Sequence, residues 1–568
     1  MTVGIVGSGP AAEAVEAALD GVGVDTNSID VRGIEDVPLA VVTGQAGDSV
    51  FEQANERALE TDTEWVGVEI GGVGGIPIVD AAVAGFGTGT GCYECLSGRV
   101  SANLDPQAEP AAAPPDHTAR FAGAVAGREA ARYVTGDAAI FGRVVVVPFT
   151  ERDFLPLPNC TCAPERDHSL DRDFVDRDIE ESLSRAERAV DDVLGIVQEV
   201  GEAESFPVPY YLAHSCDTSG FSDVSAARDA AGVALDWNEA FVKALGESLE
   251  RYCAGIYHLA DFDRATTDEM SAAVAPSTFV CEQEPDPDAE IHWTAGQHLA
   301  SGRSVDLPAE FVHYPPPSRQ FRSPVTTGLG LGNSTVEALL SGLYEVIERD
   351  AMMLSWYSSF EPLGLEVDDE DFETMVRRAR SEELDVTALL LTQDVDIPVV
   401  AVAVSREEWP KFALGTGADL DVASATRSAL AEALQNWMEL RGMGKEGAED
   451  AMGAIGRYAD RPKSVEALID PETTIPAAST TPDDAPAGTE ELEEVLDRIA
   501  DAEGELEAYA ARTTTRDVET LGFEAVRAVV PQAQPLCFGN MYFGERAERV
   551  PEALGFEPQL DRDHHPFP

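Results

Sequence analysis

Positive charge is scarce in this chain. The 568 residues include 39 lysines and arginines against 104 aspartates and glutamates, which gives a formal net charge of -65, and only four of the basic residues are lysines. The acidic residues occur in every segment and 44% of the chain is hydrophobic, unlike a disordered acidic tail. This composition is typical of extreme halophiles, where concentrated salt screens self-repulsion. It argues against binding to nucleic acid or to an anionic membrane.

Two sequence signals are also missing. The chain has no apolar run long enough to span a bilayer and no secretion signal, so we predict no membrane association and a cytoplasmic location. It has no G-x-x-x-x-G-K-[ST] phosphate loop, so a nucleotide would have to be held in another way. Its length is sufficient for two or more domains with sizeable cores.

Acidic residues recur in a fixed frame within otherwise apolar segments. Residues 329–350 read LGLGNSTVEALLSGLYEVIERD, which predicts a loop followed by one long helix with Glu345 and Glu348 on a shared face. Taken alone, this helix is equally well explained as a solvated acidic face. The same E-x-x-E-R frame, however, recurs at residues 247–251, and residues 429–441 repeat its spacing with Glu432 and Gln435.

Three such helices would bring their carboxylates together. Magnesium prefers oxygen ligands, so the pattern predicts a site for one or two Mg²⁺ ions and a polyphosphate. Arginines that follow the glutamates, and Asn333 before the second helix, would contact phosphate oxygens. We therefore favour a binding site over random surface charge.

The eight cysteines include two close pairs. Cys92 and Cys95 form C-Y-E-C, and Cys160 and Cys162 form C-T-C. Two such pairs can complete a tetrahedral thiolate zinc site, although the second has one spacer residue instead of the usual two. A redox C-x-x-C motif and four unrelated thiols remain alternatives. The other four cysteines are interpreted as small buried hydrophobic residues.

The chain begins with the pattern of a Rossmann-like unit. TVGIVGSGPAAEAVEAAL predicts a strand, a glycine turn and a helix, with Gly7, Gly9 and Ala12 in a G-x-G-x-x-A frame. As a dinucleotide site the signal is weak, because the turn needs its glycines for packing and residues 24–31 show no clear second strand ending in a ribose-binding acid.

Several further elements are predicted from local pattern. We expect strands at residues 39–43, 64–70, 384–392, 397–404 and 523–531, and helices at residues 55–60, 120–134 and 179–200. We expect a surface loop at residues 164–178, a glycine-containing connection at residues 413–419, and a flexible loop at residues 464–490.

The two E-x-x-E-R helices, the G-L-G-L-G-N segment and the A-L-A-E-A-L-Q helix resemble the YcaO family, from about residue 207 to residue 568. Members of that family phosphorylate a backbone amide oxygen of a peptide with ATP and have no phosphate loop. The resemblance implies that ATP and Mg²⁺ are held by Glu247, Glu250, Arg251, Asn333, Glu337, Glu345, Glu348, Arg349, Glu432 and Arg527. Without the resemblance, Arg527 would be interpreted as a surface residue.

Two features depart from the family pattern. The family usually has Gly-Lys-Gly before the first glutamate helix, whereas this chain has valine at position 233. Azoline-forming members end in a Pro-x-Pro-x-Pro tail that reaches the active site. Pro566 and Pro568 resemble a shortened form of it, with His564 where the first proline would stand. The resemblance thus implies a catalytic role for Pro568, and we interpret His564 or His565 as a group for proton transfer.

The N-terminal segment, with its glycine turn and cysteine pairs, resembles the ThiF-like domain fused to YcaO in azoline-forming cyclodehydratases. We therefore predict an α/β protein with a ThiF-like, zinc-containing, peptide-binding domain at residues 1–195 and a YcaO domain at residues 205–568. The implied function is ATP-dependent formation of thiazoline or oxazoline from Cys, Ser or Thr in a ribosomal peptide, as in bacteriocin-like peptide maturation.

The resemblance also implies partners and leaves alternatives. The expected partners are the precursor peptide, a flavin dehydrogenase that oxidises azolines, and a second copy of the chain in a homodimer. One alternative is a YcaO-type thioamide-forming enzyme, and the other is an inactive peptide-binding scaffold, which valine at position 233 would fit.

Overall fold

The computed structural model describes residues 1–104, 114–137, 140–162, 164, 166–450, 454–480, 485–504 and 506–568, without the side chains of residues 449, 450, 454 and 455. These residues form a mixed α/β structure in which helices pack on four β-sheets. Among the described helices, none has the length and apolar character needed to cross a membrane.

The first sheet has seven strands in the order β2-β1-β3-β4-β5-β6-β7. They are β1 (Thr2–Val6), β2 (Asp25–Ser28), β3 (Leu39–Gln45), β4 (Glu64–Ile70), β5 (Ala81–Phe86), β6 (Arg143–Val146) and β7 (Thr150–Asp153). Its helices are α1 (Pro10–Asp20), α2 (Ser49–Thr61), α3 (Tyr93–Ala102) and α4 (Asp116–Val134). The first four strands in sheet order run parallel and the rest antiparallel.

The predictions for this sheet hold with one exception. The strands expected at residues 39–43 and 64–70 are confirmed as β3 and β4, and the helices expected at residues 55–60 and 120–134 lie within α2 and α4. The expectation of no strand near residues 24–31 is wrong, because β2 pairs with β1 there. β2 is an edge strand of largely exposed residues, Asp-Thr-Asn-Ser, so it carries no apolar pattern.

The second sheet is a three-stranded antiparallel meander. It consists of β8 (Val197–Glu204), β9 (Tyr210–Ser215) and β10 (Asp229–Val233), preceded by α5 (Ile179–Ala186) and followed by α6 (Trp237–Ala254). The helix predicted over residues 179–200 is therefore too long, since the chain turns to form β8. Glycine at position 232 lets β10 lie against α6, because a Cβ there would be 2.2 Å from Ala240 O.

The third sheet has the order β11-β12-β20-β21-β14, and β13 pairs with β12. Its strands are β11 (Asp263–Ala265), β12 (Ile291–His298), β13 (Ser304–Pro308), β14 (Leu329–Gly332), β20 (Tyr509–Arg512) and β21 (Glu524–Val529). The helices of this region are α7 (Thr335–Trp356), α12 (Arg516–Leu521) and α13 (Arg546–Leu554). The strand expected at residues 523–531 is confirmed as β21, and the long helix as α7.

The loop predicted before α7 is instead strand β14. Its glycines carry no β-sheet propensity, but they allow α7 to lie against the sheet. A Cβ on Gly330 would be 2.1 Å from Ala338 O, and one on Gly328 would be 2.1 Å from Ala528 O. The G-L-G-L-G segment therefore fixes the height of α7 above β14 and β21.

The fourth sheet has the order β18-β17-β16-β15-β19. Its strands are β15 (Leu363–Glu366), β16 (Asp385–Leu390), β17 (Val399–Ser405), β18 (Phe412–Ala418) and β19 (Thr474–Pro476). The remaining helices are α8 (Glu370–Ser381), α9 (Val422–Asp450, broken at Gly444), α10 (Ala454–Tyr458) and α11 (Thr489–Ala500).

Two predictions in this region fail and two hold. The strands expected at residues 384–392 and 397–404 are confirmed as β16 and β17. The connection expected at residues 413–419 is strand β18. The flexible loop expected at residues 464–490 contains β19 and two 3₁₀ turns in its described part, while residues 481–484 of that prediction lie outside the described residues.

Residues 166–178 are not a simple surface loop. The Arg166 guanidinium donates to Thr514 O and Ile256 O, each at 3.0 Å, and also to Thr513 O. A buried ion pair likewise joins Arg99 of α3 to Asp517 of α12. Both sets of contacts link the part of the chain before β8 to its last two hundred residues.

Candidate functional site

Glu348 of α7 and Glu432 of α9 meet at a threonine of β18. Thr416 donates from Oγ1 to Glu348 Oε1 at 2.7 Å, and its N–H donates to Glu432 Oε2 at 2.5 Å. Glycines on both sides of Thr416 bring α9 close, since a Cβ on Gly415 would be 2.3 Å from Ala429 O. Thr416 is not among the residues predicted from the sequence. Its signal is the G-T-G alternation, which marks a strand that another element approaches closely.

Glu250 of α6 and Glu345 of α7 join this pair. Burial is the main cause that raises the pKa of Glu250 to about 8, and the charges of Glu345 and Glu247 raise it further. Burial also raises the pKa of Glu348 to about 7, with Glu432 and Glu345 adding to burial and Arg349 opposing it. We call Glu250, Glu345, Glu348 and Glu432 the glutamate cluster. Without a cation, part of its charge is neutralised by protons.

The neighbouring arginines compensate only part of the negative charge of the glutamate cluster. Arg349 lies 3.7 Å from Glu345 and 3.8 Å from Glu348, measured between the nearest nitrogen and oxygen atoms. Arg251 pairs with Glu247, whose second oxygen accepts the N–H of Ala231 at 2.6 Å. An excess of carboxylate oxygens remains, so the set fits a hard divalent cation.

Arg527 is buried rather than exposed, so its interpretation as a surface residue without the resemblance is wrong. It lies on β21 and donates to Thr326 O at 2.7 Å and Val325 O at 2.9 Å, while its Nε has no partner among the described residues. Burial lowers the pKa of Arg527 to about 9 and Arg322 lowers it further, whereas Glu345 and Glu250 raise it. Arg527 therefore lies within electrostatic reach of the glutamate cluster.

Asn333 and Glu337 lie at the start of α7, two turns before Glu345. Glu337 Oε2 accepts the N–H of Asn333 at 2.5 Å, and Ser334 caps the helix by accepting the N–H of Glu337 at 3.3 Å. The Ser182 hydroxyl of α5 donates to Asn333 Oδ1 at 2.9 Å. Among the described residues, these contacts are with the cap of α7 and with α5 rather than with the glutamate cluster. No sequence signal linked Ser182 to Asn333.

A cavity of about 600 Å³ opens beside the cluster, bounded by β9, β10, α6, β18 and α9. Glu247, Arg251, Thr416, Glu432 and Gln435 line it, together with Val233 where the family pattern has lysine, and also Lys243, Tyr210 and Glu439. Its size falls within the range of small-molecule and cofactor sites. Lys243, Tyr210 and Glu439 are not among the site residues predicted from the sequence.

The last residues of the chain reach the same region. Arg349 donates to Pro568 O at 3.2 Å, and Phe567 is buried in the core around α7. His565 is buried and bonded through Nε2 to Cys537 O at 3.0 Å. His564 is partly exposed, and its carbonyl accepts a hydrogen bond from Tyr458. Pro568 is thus placed beside an arginine of the predicted site, while His564 lies four residues back along the tail.

The four predicted zinc ligands are brought together. The sulfur atoms of Cys92, Cys95, Cys160 and Cys162 all lie within 4.8 Å of one another, with Cys92 Sγ 3.8 Å from Cys95 Sγ and 3.5 Å from Cys160 Sγ. Zinc–sulfur bonds of about 2.3 Å imply tetrahedron edges of about 3.8 Å. The cysteine set therefore fits a zinc ion despite the single spacer in C-T-C.

The glycine turn after β1 has a structural explanation. Gly7 and Gly9 have positive φ angles of 108° and 96°, and a Cβ on Gly7 would be 2.4 Å from Thr43 Oγ1 and 2.5 Å from Thr43 O. The turn thus needs glycine to let β1 lie beside β3 and lead into α1. It gives no independent support for a bound dinucleotide.

Comparisons with known proteins indicate a single family. The family model described as YcaO cyclodehydratase, ATP- and Mg²⁺-binding, matches residues 231–534. A heterocyclase solved in complex with substrate and cofactor has a TM-score of 0.74 and 20% identity, and the match covers 98% of this chain and 83% of that one. This likeness shows a shared fold.

Two other matches cover less of the chain. The structure of YcaO from Methanopyrus kandleri bound with AMPPCP and Mg²⁺ has a TM-score of 0.51 and 25% identity, over 64% of this chain and 94% of that one. An uncharacterised protein of Methanothermobacter thermautotrophicus is 29% identical over 226 residues, 36% of this chain and 56% of that protein. The chain spans about half the length of the curated relatives it matches.

Proposed function

Because the chain belongs to the YcaO family, whose model matches just over half of its length, we propose that it is an ATP- and Mg²⁺-dependent cyclodehydratase. Its substrate would be a ribosomally made precursor peptide, in which Cys, Ser or Thr becomes thiazoline or oxazoline. The observation that carries this proposal is the glutamate cluster, in which carboxylates from α6, α7 and α9 meet beside a cavity of about 600 Å³.

The residues of the cluster have distinct tasks in this proposal. Glu250, Glu345, Glu348 and Glu432 offer the oxygen ligands, and Glu247 supports them from α6. Bound Mg²⁺ would neutralise the phosphate charge and orient the triphosphate. Arg251, Arg349 and Arg527 would steady phosphate oxygens, as charge-assisted donors do. At the start of α7, Asn333 would steady phosphate oxygens and Glu337 would help to hold Mg²⁺ and ATP; Ser182 and the helix cap support their positions.

The proposed reaction has three steps. The thiol or hydroxyl of the substrate residue attacks the preceding amide carbonyl, loses its proton and leaves the electron pair on oxygen. The γ-phosphoryl group of ATP moves to that oxygen and ADP is released. Loss of the amide proton and of inorganic phosphate then forms the C=N bond of the azoline. Pro568, placed at Arg349, and His564 are proposed to act on the proton transfers.

The first part of the chain is proposed to bind the precursor peptide. Residues 1–195 would form a ThiF-like domain with structural Zn²⁺ held by Cys92, Cys95, Cys160 and Cys162, and residues 205–568 the YcaO domain. A flavin dehydrogenase and a second copy of the chain are proposed partners, and the cytoplasm the proposed location. The thiolate geometry supports the zinc part of this proposal.

Nucleotide binding tests the proposal directly. We expect Mg–ATP to bind the wild type saturably in 1 M potassium chloride, and Glu348→Gln and Glu432→Gln to weaken binding at least about 100-fold, because each removes a charged cation ligand. Glu373→Gln, on the exposed face of α8, is the matched control. Wild-type binding that both cluster variants retain would contradict the site. A wild type without ATP binding would favour a peptide-binding scaffold.

The mass of the product separates the two chemistries of the family. Each ring formed removes one water, about 18 mass units, from the peptide, whereas exchange of an amide oxygen for sulfur adds about 16. A peptide that gains mass in the presence of sulfide would replace the cyclodehydratase proposal with thioamide formation.

A further inference from the structure

The cavity contains a second polar arrangement, about two turns along the same face of α9 from Glu432. Tyr210 of β9, Gln435 and Glu439 all line it. The Tyr210 hydroxyl donates to Glu439 Oε1 at 2.8 Å, and Gln435 Nε2 donates to the same oxygen at 3.0 Å. Two neutral donors thus hold one carboxylate oxygen in place.

The other oxygen of Glu439 is left open. Among the described residues, the hydrogen bonds to Glu439 both go to Oε1, none goes to Oε2, and no ion pair includes Glu439. Burial raises the pKa of Tyr210 well above its ordinary value and the charge of Glu439 raises it further, so the phenol keeps its proton and remains a donor. A fixed, negatively charged acceptor is therefore presented in the cavity.

Such an acceptor recognises a hydrogen-bond donor and repels an anion. The phosphate groups of ATP are anionic acceptors at neutral pH, so they are excluded from this end. The donors of ATP are the two ribose hydroxyls and the adenine amino group. The nucleoside therefore fits the Tyr210–Gln435–Glu439 end, and the triphosphate fits the end where Thr416 and Glu432 meet Glu348.

We propose that Glu439, held by Tyr210 and Gln435, accepts a hydrogen bond from the nucleoside and so determines which nucleotide the cavity takes. This inference rests on the proposed ATP-dependent function and assigns the nucleoside end of the same cavity. A hydrogen bond to a charged group corresponds to a discrimination of about 10- to 150-fold against an analogue that lacks the donor.

Substitution by glutamine reverses the polarity of the open group. Tyr210 and Gln435 are donors, so they would hold the amide oxygen of the new side chain in the place of Oε1. Its NH₂ group would then face the cavity and oppose the donor of the ligand. Glu439→Gln is thus a sharper test than truncation, because it leaves the shape of the cavity nearly unchanged.

The experiment compares four nucleotides by calorimetry with Mg²⁺ in 1 M potassium chloride: ATP, 2′-deoxy-ATP, 3′-deoxy-ATP and purine riboside triphosphate. We expect the wild type to bind the analogue without the recognised donor about 10- to 150-fold more weakly than ATP, and Glu439→Gln to reduce that ratio below about threefold. Glu446→Gln, an exposed position further along α9, should keep the wild-type ratio.

Each outcome bears on one of the two proposals. The identity of the discriminated analogue decides between ribose and adenine as the donor. Equal wild-type affinity for all four nucleotides, or unchanged discrimination in Glu439→Gln, would overturn the role of Glu439 while ATP binding itself stands. A wild type that binds none of them would remove the proposed function as well.

Discussion

Binding of Mg²⁺ and nucleotide is expected to expel protons from the glutamate cluster. The pKa of Glu250 is raised to about 8 and that of Glu348 to about 7, in both cases chiefly by burial. At pH 7 a carboxyl group with a pKa of about 8 is about nine-tenths protonated and one with a pKa of about 7 is half protonated, which makes about 1.4 protons. A cation needs these carboxylates ionised, so binding releases the protons.

The release is expected to depend steeply on pH. It should be about 1.4 protons at pH 7 and about 0.1 at pH 9, and the affinity should rise between pH 6 and pH 9. Calorimetry with a non-hydrolysable Mg–ATP analogue, in two buffers of different ionisation enthalpy and 1 M potassium chloride, counts the protons. A release below about 0.3 at pH 7, or one that does not change with pH, would refute the raised pKa values.

A variant tests the same pKa shift without any ligand. The pKa of Glu250 is higher in the folded chain than in the unfolded one, so its contribution to stability is present at low pH and is lost as the pH rises through about 8. Glu250→Gln should therefore be more stable than the wild type at pH 8.5, by about 2–3 kcal/mol once the partial exposure of the side chain is allowed for, and equal to it near pH 4. Denaturant unfolding without Mg²⁺ measures both values. An equal difference at the two pH values would contradict the assignment.

Three further predictions concern the rest of the chain. Arg99→Met leaves the buried Asp517 carboxylate without its ion-pair partner, so the free energy of unfolding should fall by about 3–5 kcal/mol in denaturant titrations. Adding Asp517→Leu should restore most of that loss. A loss below about 1 kcal/mol in Arg99→Met would contradict this prediction. Cys162→Ser should reduce bound zinc, measured by atomic absorption, from about one ion per chain to below about 0.2, because a four-thiolate site loses a ligand; undiminished zinc would show that the metal lies elsewhere. Removal of residues 566–568 removes the contact of Pro568 with Arg349. We expect the ATP affinity to change less than about threefold, whereas the rate of ring formation, measured from the mass of the peptide, should fall at least about 100-fold. Ring formation at the wild-type rate would contradict the role of the tail.

The glutamate helices could be predicted from sequence because their signal is local and repeated. Glu345 and Glu348 lie in a run whose apolar residues have helical spacing, and the observed helix α7 contains that run. The frame at Glu250 and Glu432 then indicated that separate helices serve one site. Local spacing cannot show which side chains are in contact. Thr416, which joins Glu348 to Glu432, belongs to β18, and only the tertiary structure brings that strand beside α7 and α9.

The failed predictions for β14 and β18 share a physical cause. β14 and β18 contain several glycines, which normally indicate turns, but here each glycine permits a helix to lie close to the strand. The failed prediction of a surface loop around Arg166 has a different cause, since it rests on the charged neighbours of that residue. Its partners are main-chain carbonyls of residues far away in sequence, and such partners leave no trace in the local pattern.

The Arg99–Asp517 pair also sets a condition on synthesis. The two residues are 418 positions apart, so at about 5–20 residues per second a ribosome delivers Asp517 roughly 20–80 s after Arg99. During that interval the Arg99 guanidinium cannot be buried without a counter-charge and must stay hydrated. The first sheet can form as the chain emerges, but the face of α3 that carries Arg99 can be buried only after α12 has been synthesised. Completion of that interface therefore comes late in the folding of this protein.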